Sequence, residues 1–220
     1  LTFAAALRSI LRQDPNIIMI GEIRDTETAK IAVRASITGH LVLSTLHTNN
    51  SLNTIERLLD MDVERYLLAS ALTGIVSQKL ARRICPKCRT KRPTNDYEKN
   101  LLKRILGQDI EEIYTTDGCE ECSSGYKGRI AIHEVLLIDQ DIRDAISSNM
   151  RKDQLRHLVY QSDVTTMLQD GLEKVVQGLT TIEEVLKLIE LDSDDLSDTH
   201  ETQYDLKHAI EFTEMNHNVE

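Results

Sequence analysis

Residues 16–47, NIIMIGEIRDTETAKIAVRASITGHLVLSTLH, decide how the chain folds. The segment opens with four successive apolar residues, Ile17 to Ile20, followed by Gly21 and the carboxylate of Glu22. A continuous apolar run of strand length suits a strand buried in a parallel sheet better than a half-exposed one. Asp25 is placed to cap a helix with Glu27 in its first turn, and that helix is predicted to run to about Thr38 and close at Gly39. His40 to His47 then reads as a second buried strand, and polar residues 48–51 open a further helix through Asp60. Strand, helix, strand, helix predicts a parallel sheet with covering helices, an α/β fold.

Upstream, Phe3, Leu7, Ile10 and Leu11 recur at helical spacing, and Asp14-Pro15 stops that helix because proline disfavours the helical conformation in the residue before it. Downstream, residues 64–80 read as helix. From Arg82 to Gly128 the regular pattern gives way to cysteines, glycines and a polar insert with a helix near 96–106. Arg129 to Ile138 reads as a strand, followed by helices whose apolar stripes (Leu155, Leu158, Val159; Leu172, Val175, Val176; Val185, Leu186, Ile189) are simplest as core. Thr180-Thr-Ile-Glu183 reads as a capping box for the last of these helices. From Leu191 the chain is acidic with weak apolar periodicity and is expected to form a flexible or partly helical tail. Its His200, His208 and His217 are too sparse to argue a metal site.

The 220 residues are 40% apolar and 28% charged, enough for a core and unlike collagen or a disordered chain. No apolar run approaches the roughly 18 residues of a membrane helix. The first residue is Leu, and residues 1–15 lack the layout of a signal peptide, so the chain is expected to begin inside a longer polypeptide. The net charge of −10 is unevenly distributed. Residues 1–92 carry 14 basic and 8 acidic groups, whereas the remaining 128 carry 12 and 28.

The four cysteines form two pairs, Cys85-Pro-Lys-Cys88 and Cys119-Glu-Glu-Cys122. Each two-residue spacer lets both thiolates of a pair turn toward one ion, and two such knuckles complete the tetrahedral sulfur shell that zinc favours. A closed shell implies a structural site. Disulfides, redox thiols or iron in the same shell are the alternatives.

Glu22 stands just beyond a buried strand, at the end of the sheet where open parallel folds bind ligands, although a buried strand can also end in glycine and an ordinary acidic turn residue. The strings LRQDPNIIMIGEIRDTETAKIAVRASITGHLVLSTLHTNNS, the paired knuckles and GYKGRIAIHEVL together resemble the C-terminal ATPase domain of the type II secretion and type IV pilus assembly motors, including the competence ATPases. The resemblance covers roughly residues 1–190. It implies a partial RecA-like P-loop NTPase domain over residues 1–81, a tetracysteine zinc insert over 82–128 and a C-terminal strand and helical lobe over 129–190, with 191–220 as the acidic tail outside it. Ile17 to Glu22 would then be the Walker B strand, with Glu22 near magnesium and the attacking water, and His40 and His47 would be the two residues of the His box. Seven strand steps of about 3.3 Å put these histidines about 20 Å apart, so both cannot touch one phosphate. His47 shares the carboxyl end with Glu22 and is the better γ-phosphate sensor; His40 is equally well a satisfied core histidine or a support for the subunit contact or the strand start. Gly21, Arg24 and Asp25 match the same motif and are secondary candidates, Asp25 doubling as a helix cap.

The resemblance further implies ATP, Mg2+ and Zn2+ as cofactors, a homohexamer, inner-membrane platform and cytoplasmic docking proteins as partners, and a cytoplasmic location at the inner face of the membrane. The sequence contains no G-x-x-x-x-G-K-[ST] string, so it lacks the backbone cradle and lysine for the phosphates, and alone it is expected to hydrolyse ATP poorly. A different class of function is suggested by Lys79 to Arg92, which holds seven basic residues in fourteen around the first knuckle. A zinc-ribbon interaction module or nucleic-acid binder would look like this, but the segment has no aromatic residue for base stacking. Attraction to anionic lipid headgroups is the third reading of the same charge.

Overall fold

The computed structural model describes residues 2–161 and 164–190; the expected acidic tail, with its three histidines, lies outside the described residues. In chain order the elements are α1 (Phe3–Leu11), β1 (Ile17–Ile20), α2 (Thr26–Ile37), β2 (Leu41–Ser44), α3 (Ser51–Asp60), α4 (Arg65–Ala71), β3 (Gly74–Ile84), β4 (Arg89–Pro93), α5 (Asp96–Leu106), β5 (Glu112–Thr116), β6 (Tyr126–Leu137), α6 (Gln140–Ser147), α7 (Lys152–Gln161), α8 (Met167–Val176) and α9 (Ile182–Glu190). They form two units. Among the described residues, the first unit runs to Ser77 and includes those within Val135–Val164; the second comprises Gln78–Glu134 and those from Thr165 on.

In the first unit β1 and β2 pair in parallel, with Ile17 opposite Leu41 and Ile20 opposite Ser44. Parallel strands need a crossover. It is α2, whose first turn is fixed by Asp25: the carboxylate accepts the Thr28 backbone N–H at 2.8 Å and the Thr28 hydroxyl at 2.9 Å. Ile18 and Ile20 point into a core shared with Leu7, Ala29, Ile55, Leu68, Leu136 and Ile142. Ile17 and Met19, on the opposite face, are 62% and 68% exposed. The pair is therefore covered on one face only, where the unbroken apolar run predicted burial on both.

The helix expected over 64–80 stops at Ala71. Thr73-Gly74 breaks it, and the β-branched pair Ile75-Val76 begins an extended segment in which Ile75 and Ser77 are buried while Gly74 and Val76 face out, the period of a strand. That strand, β3, pairs with β6.

The second unit holds its own core of Leu101, Leu102, Ile113, Ile132, Leu172, Val175 and Val185. The antiparallel pair β4–β5 spans the segment expected to carry little regular structure. Helix α5 opens with a complete capping box, Asn95 to Glu98, and ends on Gly107 in the left-handed conformation. Helix α9 packs on α8. The capping box read at Thr180 and Glu183 is not what these groups form: the Thr180 hydroxyl donates to Arg82 O at 2.9 Å, and Glu183 pairs with Arg92 at 3.3 Å. Contacts to strands distant in sequence outcompete the local cap.

Gly171, midway along α8, makes close packing on α9 possible, because a Cβ there would lie 2.5 Å from Val185 Cγ1 and 3.5 Å from Ile132 Cδ1. Gly171→Ala is expected to destabilise this unit by about 1–3 kcal/mol, since overpacking exceeds the gain of up to about 1 kcal/mol in helix propensity. The measurement is amide hydrogen exchange in α8 and α9, and unchanged protection would show that α9 yields at no cost.

Candidate functional site at the strand ends and a four-cysteine cluster

Because β1 and β2 run the same way, both carboxyl ends lie at one edge of the first unit. Glu22 follows β1 by two residues and His47 follows β2 by three, and the structure brings them together: His47 Nε2 lies 3.1 Å from Glu22 Oε2. That contact requires the imidazole proton on Nε2. The Arg24 Nε–H donates to the same oxygen at 2.7 Å. Arg24 holds the Glu22 carboxyl below the ordinary range against the opposing effect of burial, with a lesser contribution from His47. Glu22 thus stays ionised into acid, protonates only as the pH falls through its lowered pKa, and then loses both contacts.

The other motif residues occupy different places. Asp25 turns away to cap α2, and the Thr28 N–H and hydroxyl lower its pKa as well. His40 stands at the opposite end of β2, its Nδ1 3.0 Å from Ala35 O, where it ties the strand start to the end of α2. Gly21 has open space on its side-chain side, with no atom within 4 Å of a would-be Cβ. Thr45 escaped the sequence reading: its hydroxyl donates to Gly21 O at 2.6 Å, and its carbonyl accepts the Ile23 N–H at 3.0 Å. No local pattern marks a threonine whose partners lie across a parallel pair.

In the second unit the sulfurs of Cys85, Cys88, Cys119 and Cys122 all lie within 4.8 Å of one another. Neighbouring sulfurs are 4.0 Å (Cys85 to Cys119), 3.7 Å (Cys88 to Cys122) and 3.6 Å (Cys119 to Cys122) apart. A disulfide requires about 2.05 Å, whereas a tetrahedral Zn–S shell of about 2.3 Å bonds has sulfur edges of about 3.8 Å. The cluster fits the metal and not a disulfide. Backbone N–H groups of Lys87 and Cys88, with the adjacent thiols, bring Cys85 down to about 7 against its burial. At Cys119 the Glu121 N–H favours the thiolate, but Cys122, burial, Cys88 and Cys85 outweigh it and push the thiol up to about 11. The four sulfurs therefore cannot all ionise without a cation among them.

The basic flanks of the knuckle are engaged internally. Arg92 forms a bidentate pair with Glu98 at 2.8 and 2.6 Å and also reaches Glu183. Arg82 pairs with Glu184 and stacks 4.0 Å over the Tyr126 ring. Arg89 donates to Gly178 O at 2.8 Å, Lys79 donates to Leu188 O at 2.9 Å, and Lys87 and Lys91 pair with Glu121 and Glu112. Six of the seven basic side chains thus have partners within the chain, which weakens the nucleic-acid and lipid readings, while Arg82, Lys87 and Lys91 stay more than half exposed. Residues 178–184 form a strap against the knuckle strands. Besides the contacts of Gly178, Thr180, Glu183 and Glu184, Leu179 O accepts the Ile84 N–H at 3.0 Å, and the Thr181 and Tyr126 hydroxyls lie 2.9 Å apart.

A carboxylate and an imidazole at the carboxyl ends of adjacent parallel strands define the α/β class whose ligands bind at that edge. Residues 1–187 match the family described as Type II/IV secretion system protein, and the chain belongs to it. It is 45% identical over 189 residues to type II secretion system protein E of Aeromonas hydrophila, covering 86% of this chain and 37% of that protein. It is 47% identical over 192 residues to the type IV pilus assembly ATPase PilB of Thermus thermophilus, covering 84% of this chain and 21% of that protein. The chain thus spans well under half the length of these curated relatives. Among solved structures, the pilus retraction motor PilT with bound ADP superposes at a TM-score of 0.59 and 31% identity, over 85% of this chain and 43% of that one. The Legionella pneumophila ATPase DotB, at 24% identity, 0.59, and 86% and 42% coverage, shares the fold. The fold class is RecA-like α/β with a cysteine-tetrad lobe, as the sequence resemblance implied.

Arg24→Ala is expected to raise the Glu22 titration midpoint toward the ordinary glutamate value, read by carbon NMR of the labelled carboxyl. A midpoint that does not move would mean that Arg24 does not hold the carboxylate.

Proposed function

We propose that the chain is the C-terminal part of a motor ATPase that powers type II secretion or the assembly of a type IV pilus or competence pseudopilus by ATP hydrolysis. The observation that carries this reading is the Glu22–His47 pair at 3.1 Å on the strand-end edge of a chain from this family. In the assembled site Glu22 orients the attacking water and accepts its proton through the carboxylate oxygen not held by Arg24, which requires the carboxylate to be ionised. His47 holds Glu22 and exchanges that contact for the γ-phosphate when nucleotide arrives. Arg24 keeps the carboxylate charged in the interim. The open side of Gly21 leaves room for close approach of a phosphate. Magnesium, when bound with ATP, neutralises charge on the transferring phosphoryl group.

Cys85, Cys88, Cys119 and Cys122 would hold zinc as a structural ion, supplying folding free energy to the lobe around it. The motor would work as a homohexamer at the inner face of the cell membrane, with an inner-membrane platform protein and cytoplasmic docking proteins as partners. No helix among the described residues is long and apolar enough to cross a membrane. With no phosphate-cradling G-x-x-x-x-G-K-[ST] string in its sequence, the chain alone is expected to turn over poorly.

Glu22→Gln in the full-length protein is expected to lower kcat roughly 10²- to 10⁴-fold, the range for loss of a general base, while nucleotide still binds. Unchanged turnover would remove Glu22 from the mechanism. Chelation is expected to release close to one zinc per chain and to raise hydrogen exchange in residues 178–190 together with the knuckle, leaving α2 and α3 protected. Elemental analysis finding no zinc, or exchange confined to the knuckle loops, would refute the structural role.

A further inference from the structure

We propose that Thr45 is a positioning residue for Glu22, a role that rests on the reading of Glu22 as the water-orienting carboxylate. The ladder between β1 and β2 is regular through Ile20 and Ser44. One more step would pair Gly21 with Thr45, but the next ladder bond comes from Ile23, whose N–H donates to Thr45 O at 3.0 Å. Gly21 and Glu22 are therefore looped out against a single residue of the partner strand, as in a bulge, which re-aims a side chain at the rim of a sheet. The looping lifts Glu22 toward His47.

Thr45 closes this loop from both sides. Its carbonyl takes the Ile23 N–H, and its hydroxyl takes the Gly21 carbonyl, at 2.6 Å, which a regular ladder in this register would have pointed away from β2. Gly21 makes the second pin necessary: a residue without a side chain, in open space, leaves the peptide between Gly21 and Glu22 free to rotate unless its carbonyl is tied. Thr45 is itself exposed and packs into no core, so its hydroxyl contributes little to folding. What the hydroxyl fixes is the direction in which the Glu22 carboxylate leaves the strand.

The test uses the full-length protein and steady-state ATP hydrolysis with magnesium. Thr45→Val keeps the shape of the side chain and removes the hydroxyl. It is expected to lower kcat roughly 10- to 100-fold, the scale of a misplacement near 1 Å, with KM for ATP changed less than about twofold. Thr45→Ser, which keeps the hydroxyl, is expected to restore turnover. Unchanged kcat in the valine variant, equal losses in the valine and serine variants, or a parallel loss of nucleotide binding would overturn the proposal. Glu22→Gln measured alongside separates the two ideas. If that variant is inactive while Thr45→Val is normal, the positioning role falls and the reading of Glu22 stands; if it is fully active, both fall.

Discussion

Two strands that run in the same direction must be joined by a crossover, and from this constraint the first unit follows. The crossover is α2, and its start is fixed within five residues of β1 by the Asp25 cap. Its end feeds β2 through His40, whose ring is tied back to Ala35. Parallel pairing then places both carboxyl ends at one edge, so Glu22 and His47, 25 residues apart in sequence, fall within hydrogen-bonding distance. An antiparallel pair would have put one of them at each end of the sheet. The same logic assigns the two histidines of the motif to different tasks: one secures the strand where it begins, the other completes a charged site where it ends.

The second unit depends on a different constraint, that four thiols cannot share a small volume as four anions. Cys85 is brought down to about 7 and Cys119 pushed up to about 11, and a divalent cation bound among the four would resolve the conflict by drawing off the remaining protons. Around the cluster, charge and hydrogen bonds knit the knuckle strands to the strap at 178–184. Partly buried Arg92 forms a bidentate pair with buried Glu98; removing Arg92 leaves a buried charge uncompensated, whereas an isolated surface pair contributes little. The basic run that suggests a nucleic-acid surface in the sequence is, in the fold, largely taken up by partners within the chain.

Much of the fold could be read from short-range signals. The apolar runs at 17–20 and 41–43, the Asp25 cap and the breaks at Pro15 and Gly39 are local in sequence and gave the α/β alternation. The paired knuckles gave the cysteine cluster. What escaped was non-local. Residues 64–80 carry enough apolar positions to imitate a helix, and the strand at Gly74–Ile84 forms because β6 lies alongside it. Glu183 sits three residues after a threonine, which predicts a capping box, but Arg92 claims it from 91 residues away. Thr45 shows no motif of its own, because its two partners belong to the other strand.

The departure from expectation at β1 and β2 is confined to one face of the strand pair. Parallel sheets are ordinarily covered on both faces, since neither face carries the polar alternation that water tolerates. Here Ile17 with Leu41, and Met19 with Leu43, lie side by side in register on a face open to solvent, each between 46% and 68% exposed. The run Ile17 to Ile20 is thus the sequence of a strand whose two faces differ: Ile18 and Ile20 lie in the core, while Ile17 and Met19 meet solvent beside Leu41 and Leu43.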